Sequence, residues 1–151
     1  MIQDVFCKII KGELPAEIIY QNSDFLVIKD INPQAPVHLL IIPKKHYTSL
    51  EDFMDPERGR EGPPRTKQRR AASPRGFVRG PQRASASYGM ESDSTLLGQS
   101  LIVSHKVAHQ AGLADKGYRI ILNEGEYGGK LVPHLHIHLL GGKKLGPKLV
   151  K

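Results

Sequence analysis

The sequence predicts an α+β fold: one antiparallel sheet of about five strands, with a short N-terminal helix and one longer helix packed on it. Three observations lead there. Five short β-branched or aliphatic runs stand between turn residues, and two stretches space their apolar residues three and four apart. The length, 151 residues, suits one compact domain that buries about two-thirds of its unfolded surface.

Taken in order, "DVFCKIIKGE" reads as a short helix ended near Gly12, with Phe6, Ile9 and Ile10 on its buried side. "AEIIYQ", "FLVIKD" and "HLLIIP" are the first three strands, the first two joined by a turn at residues 22–24 and the next by the rigid "NPQAP" loop. "SDSTLLGQSLIVSHKVAHQAG" is the longer helix, capped by Ser92 or Ser94 and closed at Gly112. Leu97, Leu101, Ala108 and Ala111, with Val103 and Val107 beside them, are its expected inner stripe. His105 and His109 on it are expected to be exposed polar positions. "YRIILNE" and "HIHLLGG" are the last two strands.

Between Pro56 and Met90 the composition changes. Five of these 35 residues are Pro, five are Gly, and Ile and Leu are missing. Nine Arg or Lys against two Glu give the segment all of the chain's net charge of +7, so the remainder is balanced. Such a stretch buries too little apolar surface to offset its ordering entropy, and residues 56–90 are expected to be a disordered insertion in a single domain covering 1–151. An Arg-rich arm attracts phosphates, but no aromatic interleaving or base-reading motif supports that reading of it, and a nucleic-acid partner is not expected except through residues 56–90. No apolar run approaches the roughly 20 residues that span a bilayer. The single cysteine, Cys7, excludes an internal disulfide and fits a reducing compartment. A soluble cytoplasmic protein without a membrane partner is expected.

Chemistry concentrates in "PHLHIHLLGG", residues 133–142. On a strand, alternate residues share a face, so His134, His136 and His138 line up while Leu135, Ile137 and Leu139 point into the core. Three readings follow. The histidines form a polar face without function; or they bind zinc, with His38 or His46 adding a ligand; or one of them is a nucleophile. Against zinc, no carboxylate or thiolate stands near this strand in sequence, and Cys7 is remote. A neutral imidazole attacks phosphorus when one ring nitrogen is free and the other donates its hydrogen to an acceptor, with neighbouring imidazoles holding the phosphoryl oxygens.

"HLHIHLL" has the His-φ-His-φ-His-φ-φ pattern of the histidine triad (HIT) superfamily, and "FCKIIKGELPAEIIY", "DINPQAPVHLLIIPKKH", "KGYRIILNEG" and "GGKLVPHLHIHLLGG" resemble segments of its Hint-like branch, in the same order. The resemblance covers residues 4 to about 54 and 92 to about 145. It implies the HIT fold, in which the sheets of two subunits join across a two-fold homodimer. It also implies a purine nucleoside phosphoramidase that binds an AMP or GMP moiety, requires no cofactor, and takes up zinc only adventitiously. The covalent intermediate it implies is a nucleotidyl-histidine on His136. His138 would contact the α-phosphate and leaving group, with His134 and His38 completing the cluster. Asp30 would bind the ribose hydroxyls, Phe6, Ile28 and Ile31 the base, and Asn123 the region of the phosphate, with Gly129 and Lys130 also in the substrate site.

Two departures stand out. Where the family usually has Gly-Gly-Gln-Ser, this chain has Gly128-Gly129-Lys130-Leu131, and Leu131 cannot make the serine's hydrogen bond near the scissile phosphate. The basic segment replaces a connection that is short and often acidic in the family. Two other functions stay in view: a dinucleoside polyphosphate hydrolase, and a nucleotide-binding protein with little turnover.

Overall fold

A computed structural model describes residues 4–53 and 91–147. The expected disorder of residues 56–90 lies outside them. Helix α1 (Val5–Ile10) opens on Asp4, whose carboxylate accepts the Cys7 amide hydrogen, and closes through Lys11 and Gly12, the latter at φ +77. Strands β1 (Ile18–Gln21), β2 (Phe25–Lys29) and β3 (Val37–Pro43) follow, then a 3₁₀ turn at Leu50–Phe53 that the sequence reading did not include. Helix α2 (Glu91–Gln110) precedes β4 (Tyr118–Leu122) and β5 (Ile137–Gly141). All pairings are antiparallel and the order is β1-β2-β3-β5-β4, so β5 inserts between β3 and β4. Fold class and element order agree with expectation.

The central strands β2, β3 and β5 are covered on both faces, which is why they read as continuous apolar runs. Phe25 and Val27, Leu39 and Ile41, and Ile137 and Leu139 pack with Val103, Val107 and Ala108 of α2. The alternate residues Leu26, Ile28, Leu40 and Ile42 pack under Phe6 of α1. His38 and His138 belong to this second face by the same alternation.

Two expectations change. Ser92 and Ser94 fall within α2, which begins at Glu91, instead of preceding it. The inner stripe of α2 is Ser100, Val103, Ser104, Val107 and Ala108, while Leu101 and Ala111 are exposed. The serines are burial-competent because their hydroxyls bond back to the carbonyls of Leu97 and Ser100, at 2.6 and 2.8 Å.

Candidate active site

The histidines meet because of strand register. His38 pairs with Leu140 and Leu40 with His138, which makes His38 and His138 diagonal neighbours on one face of β3 and β5. Their rings join at 2.9 Å, His38 Nε2 to His138 Nδ1. The ladder begins only at Ile137, so His134 and His136 precede the strand instead of lying within it. The β3–β5 register would set Leu135 against Pro43, which has no N–H to contribute to a ladder. The alternation nonetheless persists, with Leu135 in the core beside Tyr47 and the His136 ring 4.9 Å from His138.

Hydrogen bonding fixes the tautomers. His136 Nδ1 lies 2.8 Å from the His134 carbonyl oxygen, an acceptor, so Nδ1 carries the hydrogen and Nε2 keeps its lone pair. The Gln34 amide donates to His38 Nδ1 at 3.2 Å, placing the His38 hydrogen on Nε2. That hydrogen faces His138 Nδ1, with Asp30 Oδ2 at 3.3 Å as a second acceptor. His138 therefore holds its hydrogen on Nε2, 3.5 Å from Asn123 Nδ2, itself a donor, so the Asn123 amide must present its oxygen to accept that hydrogen. The wall presents one bare nucleophilic nitrogen and, on the next ring, one N–H donor.

Burial keeps these rings uncharged. It pushes His38, His134 and His136 below the usual imidazole range, against the opposing pull of Asp30 on His38 and of the Pro43 carbonyl and Asp4 on His134. For His136 the Lys130 charge adds to the burial, while the bond to His134 works the other way. His138 is pushed down to about 4 by burial, then by His136 and His38. With His38 neutral, its contact with Asp30 is an N–H···carboxylate bond and not an ion pair. Asp30 Oδ1 also accepts the Asn32 amide hydrogen, at 2.8 Å.

Phe6 stands edge-on to His136, ring centres 5.1 Å apart, in one apolar cluster with Ile28. Ile31 lies outside that cluster and is 91% exposed. Gly129 turns at φ +75. Lys130 buries its amine against the Thr48 carbonyl and the Glu124 carboxylate, and with Thr48, Glu124, Leu131, Val132 and Pro133 it lines a groove of about 420 Å³. Leu131 is 93% exposed. His105 and His109 are exposed on α2, as expected, with His105 Nδ1 at 2.8 Å from the Tyr118 hydroxyl.

The fold also builds a cluster that sequence reasoning discounted. Asp4, Cys7 and His46 surround the His134 ring: Asp4 Oδ2 lies 3.3 Å from His134 Nδ1, 3.1 Å from His46 Nε2 and 3.3 Å from Cys7 Sγ. One ligand atom from each of the four residues falls within 4.8 Å of all the others. His134 Nε2 donates to the Pro43 carbonyl at 2.9 Å, leaving the Nδ1 lone pair turned into the cluster. A ligand imidazole commonly fixes its other nitrogen in this way, and carboxylate, thiolate and two imidazoles are a donor set that fits zinc. Asp30, His38 and His138 form a second group with metal-ligating atoms. The signal for the first cluster was the spacing of Asp4 and Cys7, three apart at a helix start; separation in sequence hid its link to His134.

Comparison with known proteins adds two matches to family models. Residues 3–58 match the model described as scavenger mRNA decapping enzyme C-term binding, and residues 71–145 match the HIT domain. The chain is 34% identical over 147 residues to a purine nucleoside phosphoramidase of Escherichia coli (strain K12), an alignment covering 97% of this chain and 93% of the relative. A HIT family hydrolase from Clostridium thermocellum superposes with a TM-score of 0.70 at 37% identity, over 99% of both chains. A zinc-bound histidine triad family protein from Mycobacterium smegmatis gives a TM-score of 0.61 at 28% identity, covering 97% of this chain and 78% of that one.

Proposed function

The chain belongs to the HIT domain family, and from that membership we propose that this HIT hydrolase cleaves the P–N bond of purine nucleoside 5′-monophosphate derivatives through a covalent intermediate on His136. The observation that carries the reading is the hydrogen bond from His136 Nδ1 to the His134 carbonyl, which leaves Nε2 free beside the His138 N–H donor. The His136 Nε2 lone pair attacks phosphorus, and the P–N bond breaks with its electrons going to nitrogen. The nitrogen leaves as an amine after taking up a proton, hydrogen-bonded by His138 Nε2–H on its way. Water then attacks phosphorus, and the Nε2–P bond breaks with its electrons returning to Nε2. The proton the water gives up is released with the nucleoside monophosphate, balancing the one consumed by the departing amine. Neither half draws on a metal.

Asp30 has lone pairs left for ribose hydroxyls beyond its bonds to Asn32 and His38. Phe6 and Ile28 supply the apolar wall for the base, and exposed Ile31 closes its rim in the occupied state. Asn123 and Gly129 border the phosphate, and Lys130 contributes positive potential to it. The identity to a purine nucleoside phosphoramidase supports AMP or GMP as the nucleotide part. A dinucleoside polyphosphate is the second substrate class to be measured beside the phosphoramidate.

We also read the protein as a homodimer. β4 is a sheet edge, and Leu101 and Ile102 stand exposed on α2. Joining two β4 edges gives a sheet of ten strands. Analytical ultracentrifugation checks it, with Ile102→Asp expected to yield monomers. No helix among the described residues is long and apolar enough to cross a membrane; we place the protein in the cytoplasm, where Cys7 stays a thiol. Residues 56–90 we treat as a passenger in one catalytic domain, so their deletion should leave turnover unchanged. The deciding experiment is mass spectrometry of the enzyme quenched during turnover: a nucleotidyl adduct on His136 is expected, and an adduct elsewhere, or none with burst kinetics, ends the reading.

A further inference from the structure

We propose that His105 and His109 chelate a borderline divalent cation of the Ni²⁺ and Cu²⁺ class at the C-terminal end of α2, with the Tyr118 hydroxyl as the positioning residue that orients His105. Helix α2 packs on the sheet face opposite the histidine wall. The pair therefore shares no residue with the site described above and does not rest on the function proposed for it.

The two histidines stand four apart on α2, so their side chains leave one face of the helix a turn apart. Both are exposed, and their ring centres lie 4.3 Å from each other. Val107 and Ala108, between them in sequence, are fully buried against the sheet and hold this turn of helix rigid beneath the pair. Two imidazoles so placed can turn about χ2 until one nitrogen of each meets a common cation at about 2.0–2.1 Å. Lys106 is the only charged residue between them in sequence. Its amine lies 4.6 Å from the centre of the Tyr20 ring and 3.4 Å from the Tyr20 hydroxyl. Tyr20 is on β1 and Tyr118 on β4, the two opposite edges of the sheet, so the ammonium is directed away from the pair.

Tyr118 supplies the outer contact. Its hydroxyl lies 2.8 Å from His105 Nδ1, and a hydroxyl accepts as well as donates. With a cation on Nε2, Nδ1 keeps its hydrogen and gives it to the Tyr118 oxygen, the arrangement that commonly fixes a ligand imidazole. The helix adds a favourable field. His109 is in the last turn of α2, where unpaired carbonyls form the negative end of the helix dipole. Among the described residues no carboxylate or thiolate is grouped with the two rings. Imidazole ligands alone suit borderline cations, and Ni²⁺ and Cu²⁺ stand above the lighter divalent metals in affinity for such nitrogens. Water or a small anion fills the other coordination positions.

The test titrates the full chain with Ni²⁺ and follows carbethoxylation of each histidine by mass spectrometry. Reading the histidines one by one keeps this pair apart from cation taken up beside Asp4 or Asp30. His105 and His109 should both be protected, with a common midpoint, because one cation holds both. His105→Ala should raise the Ni²⁺ needed to protect His109 by about 10²-fold, the low end of what tethering a second binder to the first confers. Tyr118→Phe keeps the ring in its packing and should raise both midpoints about tenfold, as for loss of an outer-shell partner. His105 and His109 are exposed, so replacing either leaves the core untouched. Separate midpoints, protection of His109 that survives His105→Ala unchanged, or no protection at millimolar Ni²⁺ overturns the chelate. Midpoints unmoved by Tyr118→Phe overturn the part assigned to Tyr118.

Discussion

The two faces of the sheet are built by the same strands under opposite rules. Toward α2, Phe25, Val27, Leu39, Ile41, Ile137 and Leu139 are apolar and buried, and polar groups enter that layer only as serines bonded back to their own helix. Toward α1, the alternate positions mix Leu26, Ile28, Leu40 and Ile42 with His38 and His138, and the layer continues into His134 and His136. Side-chain alternation lets one backbone serve both: stability sits on one face, and titratable chemistry on the other at positions where an apolar residue would pack better. The difference teaches that burial on the α1 face is used to hold imidazoles neutral.

If so, substitutions on the two faces should separate activity from stability. The largest effect belongs to His136→Ala: AMP release from an adenosine phosphoramidate should drop by more than about 10³-fold, as for loss of a covalent nucleophile, with the melting temperature nearly kept. Equal losses of both would break the comparison. Its mirror is Ile41→Ala on the α2 face, expected to cost about 2–5 kcal/mol of stability in urea denaturation while kcat of the folded fraction holds. His38→Ala should lower kcat/KM by about 10²-fold, the low end for a group that supports proton transfer, since His138 loses the donor that fixes its tautomer.

The pH dependence sharpens the contrast. His38, His134, His136 and His138 titrate below their ordinary range in the fold, whereas an unfolded imidazole protonates near 6.5. Below that pH the unfolded chain binds more protons, so stability contributed by this face is present above about 6.5 and declines as pH falls toward about 4, where His138 charges. Denaturation midpoints between pH 7 and 4.5 should fall, and His38→Leu should reduce the slope. kcat/KM should stay level through neutrality and decline only on the acid side. The smallest effect is expected from Leu131→Ser: turnover up by about 3–10-fold, consistent with one added hydrogen bond of 0.5–1.5 kcal/mol, and no change in stability, because the side chain is exposed.

How much of this was legible depended on whether a feature was local. The strands were readable because a sheet buried on both faces demands unbroken apolar runs. The end of α1 at Gly12 was readable because a left-handed cap favours glycine. The α2 stripe was misjudged because buried Ser100 and Ser104 look polar in sequence, while Leu101 and Ile102 look like core and are exposed. The histidine pattern pointed to a nucleophile among His134, His136 and His138 and the family resemblance to His136, but the hydrogen-bond partner of that ring is a backbone carbonyl, which no side-chain pattern records. The Asp4 cluster draws on three separated segments, so only the folded chain brings it together.

His38 and His138 share a hydrogen bond across a separation of 100 residues, and β5 makes it from its place between β3 and β4. The histidine wall therefore exists only where β3 and β5 have paired. Without β5 the proposed nucleophile His136 has no His138 ring beside it, however well the earlier strands have formed. Turnover on such a wall would report its own assembly: a molecule that works has, by that fact, joined β3 to β5.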